Sequence, residues 1–246
     1  MFLSRTKNFL FLHKAPLENA YSTYRRANSK AMILIDSTKG RKLFERALAN
    51  ESSGVASAIC RFTPQQQTVT CGPAAIANAL EALEVDPLEQ TGLGIWRKWT
   101  ENHILEALKR IQPEEKSFSG LSFNNCNFLL SKIQTSLFRS SCKHQRPKNL
   151  FFTTLLHAKK NCTQTRDKFN ELIKKVDSKN FLLINFCRNS FEQTGEGHWA
   201  VIIEFVDGFA LVQDPAHFKY PAFYFVEQDI VFDGLIGRGA ILITKN

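Results

Sequence analysis

The strongest constraint on the fold is a change of pattern partway along the chain. Five short runs rich in Val, Ile and Phe occupy its last third: Phe181–Cys187, His198–Val206, Phe209–Gln213, Ala222–Val226 and Ala240–Thr244. Each has the length of a strand, and Asp207-Gly208, between the second and third, is a hairpin turn signal. The first half reads differently. Ser37-Thr-Lys-Gly40 leads into a helix through Leu43, Phe44, Ala47 and Leu48, which Asn50–Gly54 breaks. From Cys71 onward, Ala74, Ala75, Ile76, Ala77, Ala79, Leu80, Ala82 and Leu83 are strong helix formers with an apolar face. Thr100 or Asn102 caps a further helix across Ile104, Leu105 and Leu108. Helices followed by strands predict an α+β fold, with a helical N-terminal lobe over about 24–135 and a mainly antiparallel sheet lobe over about 166–246. The stretch 138–165 is basic and poor in pattern, and reads as an exposed connection. Residues 1–23 read as an N-terminal extension and 24–246 as a single domain.

Composition removes several classes of function. The 246 residues are 43% hydrophobic and 22% charged, ordinary for a soluble globular chain. The longest apolar runs are about five residues, far short of a spanning helix, so no membrane partner is expected. The opening apolar stretch Phe9–Leu12 is too short for a signal peptide and runs into His13-Lys14, which predicts a cytoplasmic protein. Thirty-two basic against 23 acidic residues leave a net charge of +9, a field that attracts anions. The basic residues lack the aromatic interleaving and zinc-finger spacing of nucleic-acid binders, so no nucleic acid is expected. The six cysteines are too few for a disulfide scaffold. No two stand two to four residues apart, and Cys142 with His144 is half a metal site at best, so no metal ligands are assigned. Cys187 closes an apolar run and reads as a buried structural cysteine.

Cys71 has a different neighbourhood. It sits where the polar loop Thr63–Thr70 becomes a helix, followed by Gly72, which permits close backbone approach, and Pro73, which suits a first helical turn. A thiol at a helix N-terminus meets free N–H groups and the positive end of the macrodipole, and both favour the nucleophilic thiolate. The alternative is a buried cysteine that happens to begin a helix. Cysteine catalysis also needs a base and a group to orient it. Among six histidines His198 is the candidate base: it follows Gly195-Glu-Gly197 and opens the most apolar strand. Asp214 ends the strand hairpinned to it and is the candidate orienter, the alternative being a turn residue before Pro215. Gln65 could set its amide beside the Cys71 N–H as an oxyanion donor, with Gln66 and Gln67 as competitors.

The order Gln65, Cys71-Gly72, His198, Asp214 resembles that of papain-like cysteine peptidases and, more specifically, of phytochelatin synthases. The matching stretches are Tyr24-Arg-Arg26, Ser37–Gly40 with Leu43-Phe44, Gln65–Leu80, Gly94-Ile-Trp96-Arg-Lys-Trp99, Gly197-His198-Trp199, Asp214–Pro221 and Gly237-Arg238-Gly239. The similarity runs from about 24 to 244 with the middle unmatched, and His217 stands where the family often carries Arg. The resemblance implies a papain-like fold and cleavage of glutathione at its Cys-Gly bond. A γ-glutamylcysteinyl thioester would then pass to a second glutathione or to water. Carried over residue by residue, Cys71 is the nucleophile, His198 the base and acid, Asp214 the orienter and Gln65 an oxyanion donor. Gly72 and Gly197 line the substrate, Arg238 pairs with the γ-glutamyl carboxylate and Asp233 with its amine. The chain looks like the short bacterial-type form, without the Cys-rich C-terminal region of plant relatives. No tightly bound cofactor is implied: Cd or Zn would enter as thiolate complexes of the substrate. Glutathione is the expected partner, a homodimer is possible, and the alternatives are a peptidase on other peptides or a non-catalytic thiol- or metal-binding relative.

Overall fold

The computed structural model describes residues 30–85, 87, 98–111, 120–144 and 151–246. The N-terminal extension, Tyr24-Arg-Arg26, Gly94–Arg97 and the side chains of the basic group at Lys143, His144, Arg146 and Lys148 lie outside the described residues.

Helices α1 (Thr38–Ala49), α2 (Val55–Cys60), α3 (Cys71–Ala82), α4 (Glu101–Ile111) and α5 (Phe123–His144) precede most of the sheet, as an α+β reading expects. Local chemistry starts them. Ser37 Oγ accepts the Gly40 N–H at 3.0 Å, an N-cap that satisfies one orphan donor of α1. Thr100 does the same for α4 through the His103 N–H at 3.3 Å. Helix α3 differs from the others, because eleven of its twelve residues are buried. An alanine-rich helix has the slim profile needed for a position enclosed on all sides.

Among the described residues the sheet contains seven strands, β1 (Met32–Leu34), β2 (Phe151–Leu156), β3 (Asn180–Cys187), β4 (Gly197–Val206), β5 (Phe209–Gln213), β6 (Phe223–Glu227) and β7 (Gly239–Lys245). They lie in the order β1-β6-β5-β4-β3-β7-β2, every neighbouring pair antiparallel. Two apolar clusters cover its faces. Trp199, Val201 and Ile203 of β4 pack with α1–α5 on one side. Ala200 and Ile202 pack with α6 (Thr163–Ile173) and α7 (Gln228–Leu235) on the other. This period-2 alternation fixes the register of β4, since a one-residue slip would exchange the two faces.

Two expectations need correction. The stretch 138–165 is not an exposed connection: it holds the end of α5, the strand β2 with buried Phe151 and Leu156, and the start of α6. Nor is the sheet confined to 166–246, because β1 and β2 form its two edges. Pairing with β6 and β7 supplies the strand identity that neither segment advertises alone.

Candidate active site

Three elements bring the predicted residues together. Cys71 is the first residue of α3. His198 lies near the start of β4, opposite Phe186 of β3. Asp214 directly follows β5, the hairpin partner of β4. His198 and Asp214 are fully buried, and Cys71 is partly exposed in a cavity of about 550 Å³. A volume of that size suits a small-molecule ligand.

The imidazole is committed at both nitrogens. Its Nε2–H donates to Asp214 Oδ1 at 2.7 Å. Nδ1 lies 2.8 Å from Arg188 Nη2, and because a guanidinium can only donate, this contact is a hydrogen bond in the neutral imidazole, whereas in the imidazolium Nδ1 carries a proton of its own. Cys71 also couples electrostatically to the imidazole, and with Nε2 turned to Asp214 the nitrogen left for it is Nδ1. Asp214 accepts two further donors, the Ala216 N–H at 2.9 Å on Oδ1 and the Tyr224 hydroxyl at 3.0 Å on Oδ2.

The electrostatics favour the charged pair. Burial pushes the Cys71 thiol up, but the His198 hydrogen bond and charge, the Trp199 backbone N–H and Arg188 outweigh it, and the thiol is held below its ordinary value. Burial alone would lower His198, yet the Asp214 carboxylate and then Cys71 raise it from 6.5 to about 9. Asp214, penalised by burial, is held low chiefly by the facing imidazole. Sequence reasoning assigned the thiolate to the helix start. Beside that helix start, the His198 side chain, the neighbouring strand's N–H and Arg188 also lower the thiol. By contrast Cys126, buried without such partners, is pushed far up.

Of the three glutamines only Gln65 is buried, and it lines the cavity beside Cys71. Its loop is tied down on three sides. The Gln65 N–H donates to Pro215 O at 2.9 Å, the Gln66 N–H to Glu101 at 2.7 Å, and the Thr63 N–H to Asn78 at 2.8 Å. One amide hydrogen of Gln65 goes to Gln67 O at 2.6 Å.

Gly197 lines the cavity, and a Cβ there would stand 2.3 Å from Arg238 Nη1, so the missing side chain makes room for that guanidinium. Arg238 also lines the cavity and donates to Asn185 Oδ1 at 3.0 Å. Gly72 does not line it: a Cβ there would meet Leu121 Cβ at 2.8 Å and Trp199 Cδ1 at 3.2 Å, so its role is close packing. Asp233 sits exposed on α7 and is likewise absent from the lining. Sequence reasoning missed Arg188, Asn185 and Tyr224. The first stands ten residues before His198, and only the turn at Arg188–Phe191 and the β3–β4 pairing bring it back to the imidazole.

A cysteine at a helix start, a histidine on an adjoining strand and an aspartate behind it form the constellation of papain-like, cysteine-nucleophile enzymes. The family model described as phytochelatin synthase matches residues 23–237, and the chain belongs to that family. Among curated relatives it is 25% identical over 217 residues to a Schizosaccharomyces pombe protein named glutathione gamma-glutamylcysteinyltransferase, covering 87% of this chain and 47% of that one. It is 26% identical over 239 residues to glutathione gamma-glutamylcysteinyltransferase 2 of Arabidopsis thaliana, covering 91% and 47%. The chain thus spans about half the length of these relatives. Among solved structures it is similar to the peptidase domain of Streptococcus ComA, at 14% identity and a TM-score of 0.41 over 75% of this chain and 96% of that one.

Proposed function

We propose that the protein cleaves glutathione at its Cys-Gly bond and transfers the γ-glutamylcysteinyl group to a second glutathione or to water. The observation that carries this reading is the Cys71–His198–Asp214 assembly at a small cavity in a phytochelatin synthase chain. The Cys71 thiolate attacks the cysteinyl carbonyl carbon. A C–S bond forms, and the carbonyl π electrons move to oxygen. Two donors suit that oxyanion: the Cys71 backbone N–H, early in its helix and so without an intrahelical partner, and the Gln65 amide. When the intermediate collapses the C–N bond breaks, and the departing glycine nitrogen takes the proton held at His198 Nδ1. The incoming amine or water then gives a proton to the imidazole as it attacks the thioester carbonyl, the C–S bond breaks, and Cys71 leaves as the thiolate. Asp214 orients the ring throughout.

Glutathione carries two carboxylates and one ammonium group. Arg188, Lys219 and Arg238 against Glu196 make the lining cationic, which suits an anionic substrate, and Arg238 beside Asn185 is the partner for the γ-glutamyl carboxylate. Cd or Zn would enter as glutathione thiolate complexes, and the reaction belongs in a reducing, cytoplasmic setting. No helix among the described residues is long and apolar enough to cross a membrane.

The test is incubation with glutathione, with and without Cd²⁺ or Zn²⁺, followed by mass analysis of products. Free glycine with γ-glutamylcysteine marks hydrolysis, and chain-lengthened (γ-Glu-Cys)n-Gly marks transfer. Cleavage of unrelated peptides with glutathione left intact would replace this reading with a general peptidase.

A further inference from the structure

The reaction as written uses Asp214 only through His198, yet the far oxygen of that carboxylate is as carefully held as the near one. Asp214 Oδ2 accepts a hydrogen bond from the hydroxyl of Tyr224, 3.0 Å away. Tyr224 is fully buried on β6, paired across the sheet with Val212, two residues before Asp214. Its oxygen also accepts the Gln193 side-chain amide at 3.0 Å. Gln193 is itself 3% exposed. It follows the turn at Arg188–Phe191, is anchored there by its own N–H to Arg188 O at 2.9 Å, and stands after Glu192 in the left-handed conformation at φ 53°.

These bonds have only one consistent direction. An ionised carboxylate cannot donate, so the hydrogen between Tyr224 and Asp214 belongs to the phenol. A phenol has a single hydrogen, and the Gln193 amide meets its oxygen as a donor. The chain of donation therefore runs Gln193 to Tyr224 to Asp214, and Asp214 accepts from His198 on its other oxygen.

We propose that Tyr224 is a positioning residue of the reaction: its hydroxyl pins Asp214 Oδ2 so that Oδ1 stays aimed at His198 Nε2, and Gln193 fixes the direction of the phenol hydrogen. The inference rests on the reading of Cys71, His198 and Asp214 as the catalytic set. The charged and titratable groups facing the imidazole and its carboxylate are Cys71 from α3, Arg188 from the turn after β3, Tyr220 from the segment after Asp214, and Tyr224 from β6. Of these, among the described residues, Tyr224 hydrogen-bonds the carboxylate and not the imidazole. Removing its hydroxyl leaves Asp214 with two donors, both on Oδ1. The carboxylate is then freer to rotate, and its charge is less offset, so it holds the imidazolium proton more tightly.

Tyr224→Phe keeps the ring and its packing. In this variant kcat for glycine release from glutathione falls about tenfold, the scale of one hydrogen bond to a charged group, while KM stays within about twofold. The His198 imidazole titration, followed by NMR without substrate, moves upward by about half a pH unit or more. The double variant Tyr224→Phe/Gln193→Leu separates positioning from stability, because it removes the amide that the single variant strands. Positioning predicts that the double variant keeps both defects. The proposal is overturned if Tyr224→Phe titrates His198 at the wild-type pH, if kcat is unchanged, or if the double variant regains wild-type behaviour. Should the wild-type protein not turn over glutathione at all, the proposed function fails, and the substrate-free titration still decides the role of Tyr224.

Discussion

Asp214→Asn removes the charge that holds the catalytic pair together. The amide has the shape of the carboxylate, and its oxygen can still accept from His198 Nε2 and from the Ala216 N–H, as Oδ1 does now. Those two hydrogen bonds survive; the negative charge does not, nor does the Tyr224 donation to Oδ2, where an amide nitrogen cannot accept. In the native protein His198 is raised from 6.5 to about 9 despite complete burial, with Asp214 the largest of the raising influences. That gap corresponds to about 3 kcal/mol in favour of the imidazolium. Without the carboxylate, burial acts unopposed except by Cys71, and the pair reverts to thiol and neutral imidazole at neutral pH. The assay is the rate of Cys71 alkylation by iodoacetamide at pH 7, followed by intact mass, since only the thiolate reacts. The variant is expected to react about 100-fold more slowly at pH 7 and to approach the native rate only at alkaline pH. A variant that alkylates within about threefold of wild type across the range would refute the claim that Asp214 sustains the ion pair.

The same electrostatics set a pH window. Acylation needs thiolate and imidazolium together, so kcat should decline as pH rises through about 9, where His198 loses its proton, and decline again as Cys71 is protonated on the acid side. A profile still rising past that alkaline limb would place the essential proton elsewhere. Gly197→Ala drives a Cβ into the Arg238 guanidinium. It should raise KM for glutathione about tenfold or more while leaving iodoacetamide alkylation of Cys71 near the native rate, a split read by steady-state kinetics beside the alkylation assay. Gly72→Ala instead strikes Leu121 and Trp199 in the core. It should cost about 1–3 kcal/mol of stability, measured by urea unfolding.

Much of this was readable in the sequence because the physics is local. The β3–β7 runs announce themselves through Val, Ile and Phe, and α3 through its alanines and the Gly72-Pro73 start. Cys71, His198 and Asp214 each stand at an element boundary, where pattern changes are easiest to see. What stayed hidden depends on contacts distant in the chain. The edge strand β2 becomes a strand by pairing with β7, and its flanking basic residues mask it. Arg188 reaches the imidazole through a turn that composition does not mark. Gly72 was legible as a close approach, but not that the approaching groups are Leu121 and Trp199 rather than substrate. Tyr224 reads as one more apolar strand residue until its hydroxyl is seen on Asp214.

The central claim is that Cys71 carries the acyl group. Acid-quenched protein mixed with excess glutathione, digested and mapped by mass spectrometry, tests it directly. The account predicts one γ-glutamylcysteinyl group on the Cys71 peptide, bound as a hydroxylamine-sensitive thioester, appearing with an equivalent of free glycine and missing from Cys71→Ala. Glycine release by Cys71→Ala at the native rate, or an acyl group found on another residue, would contradict it.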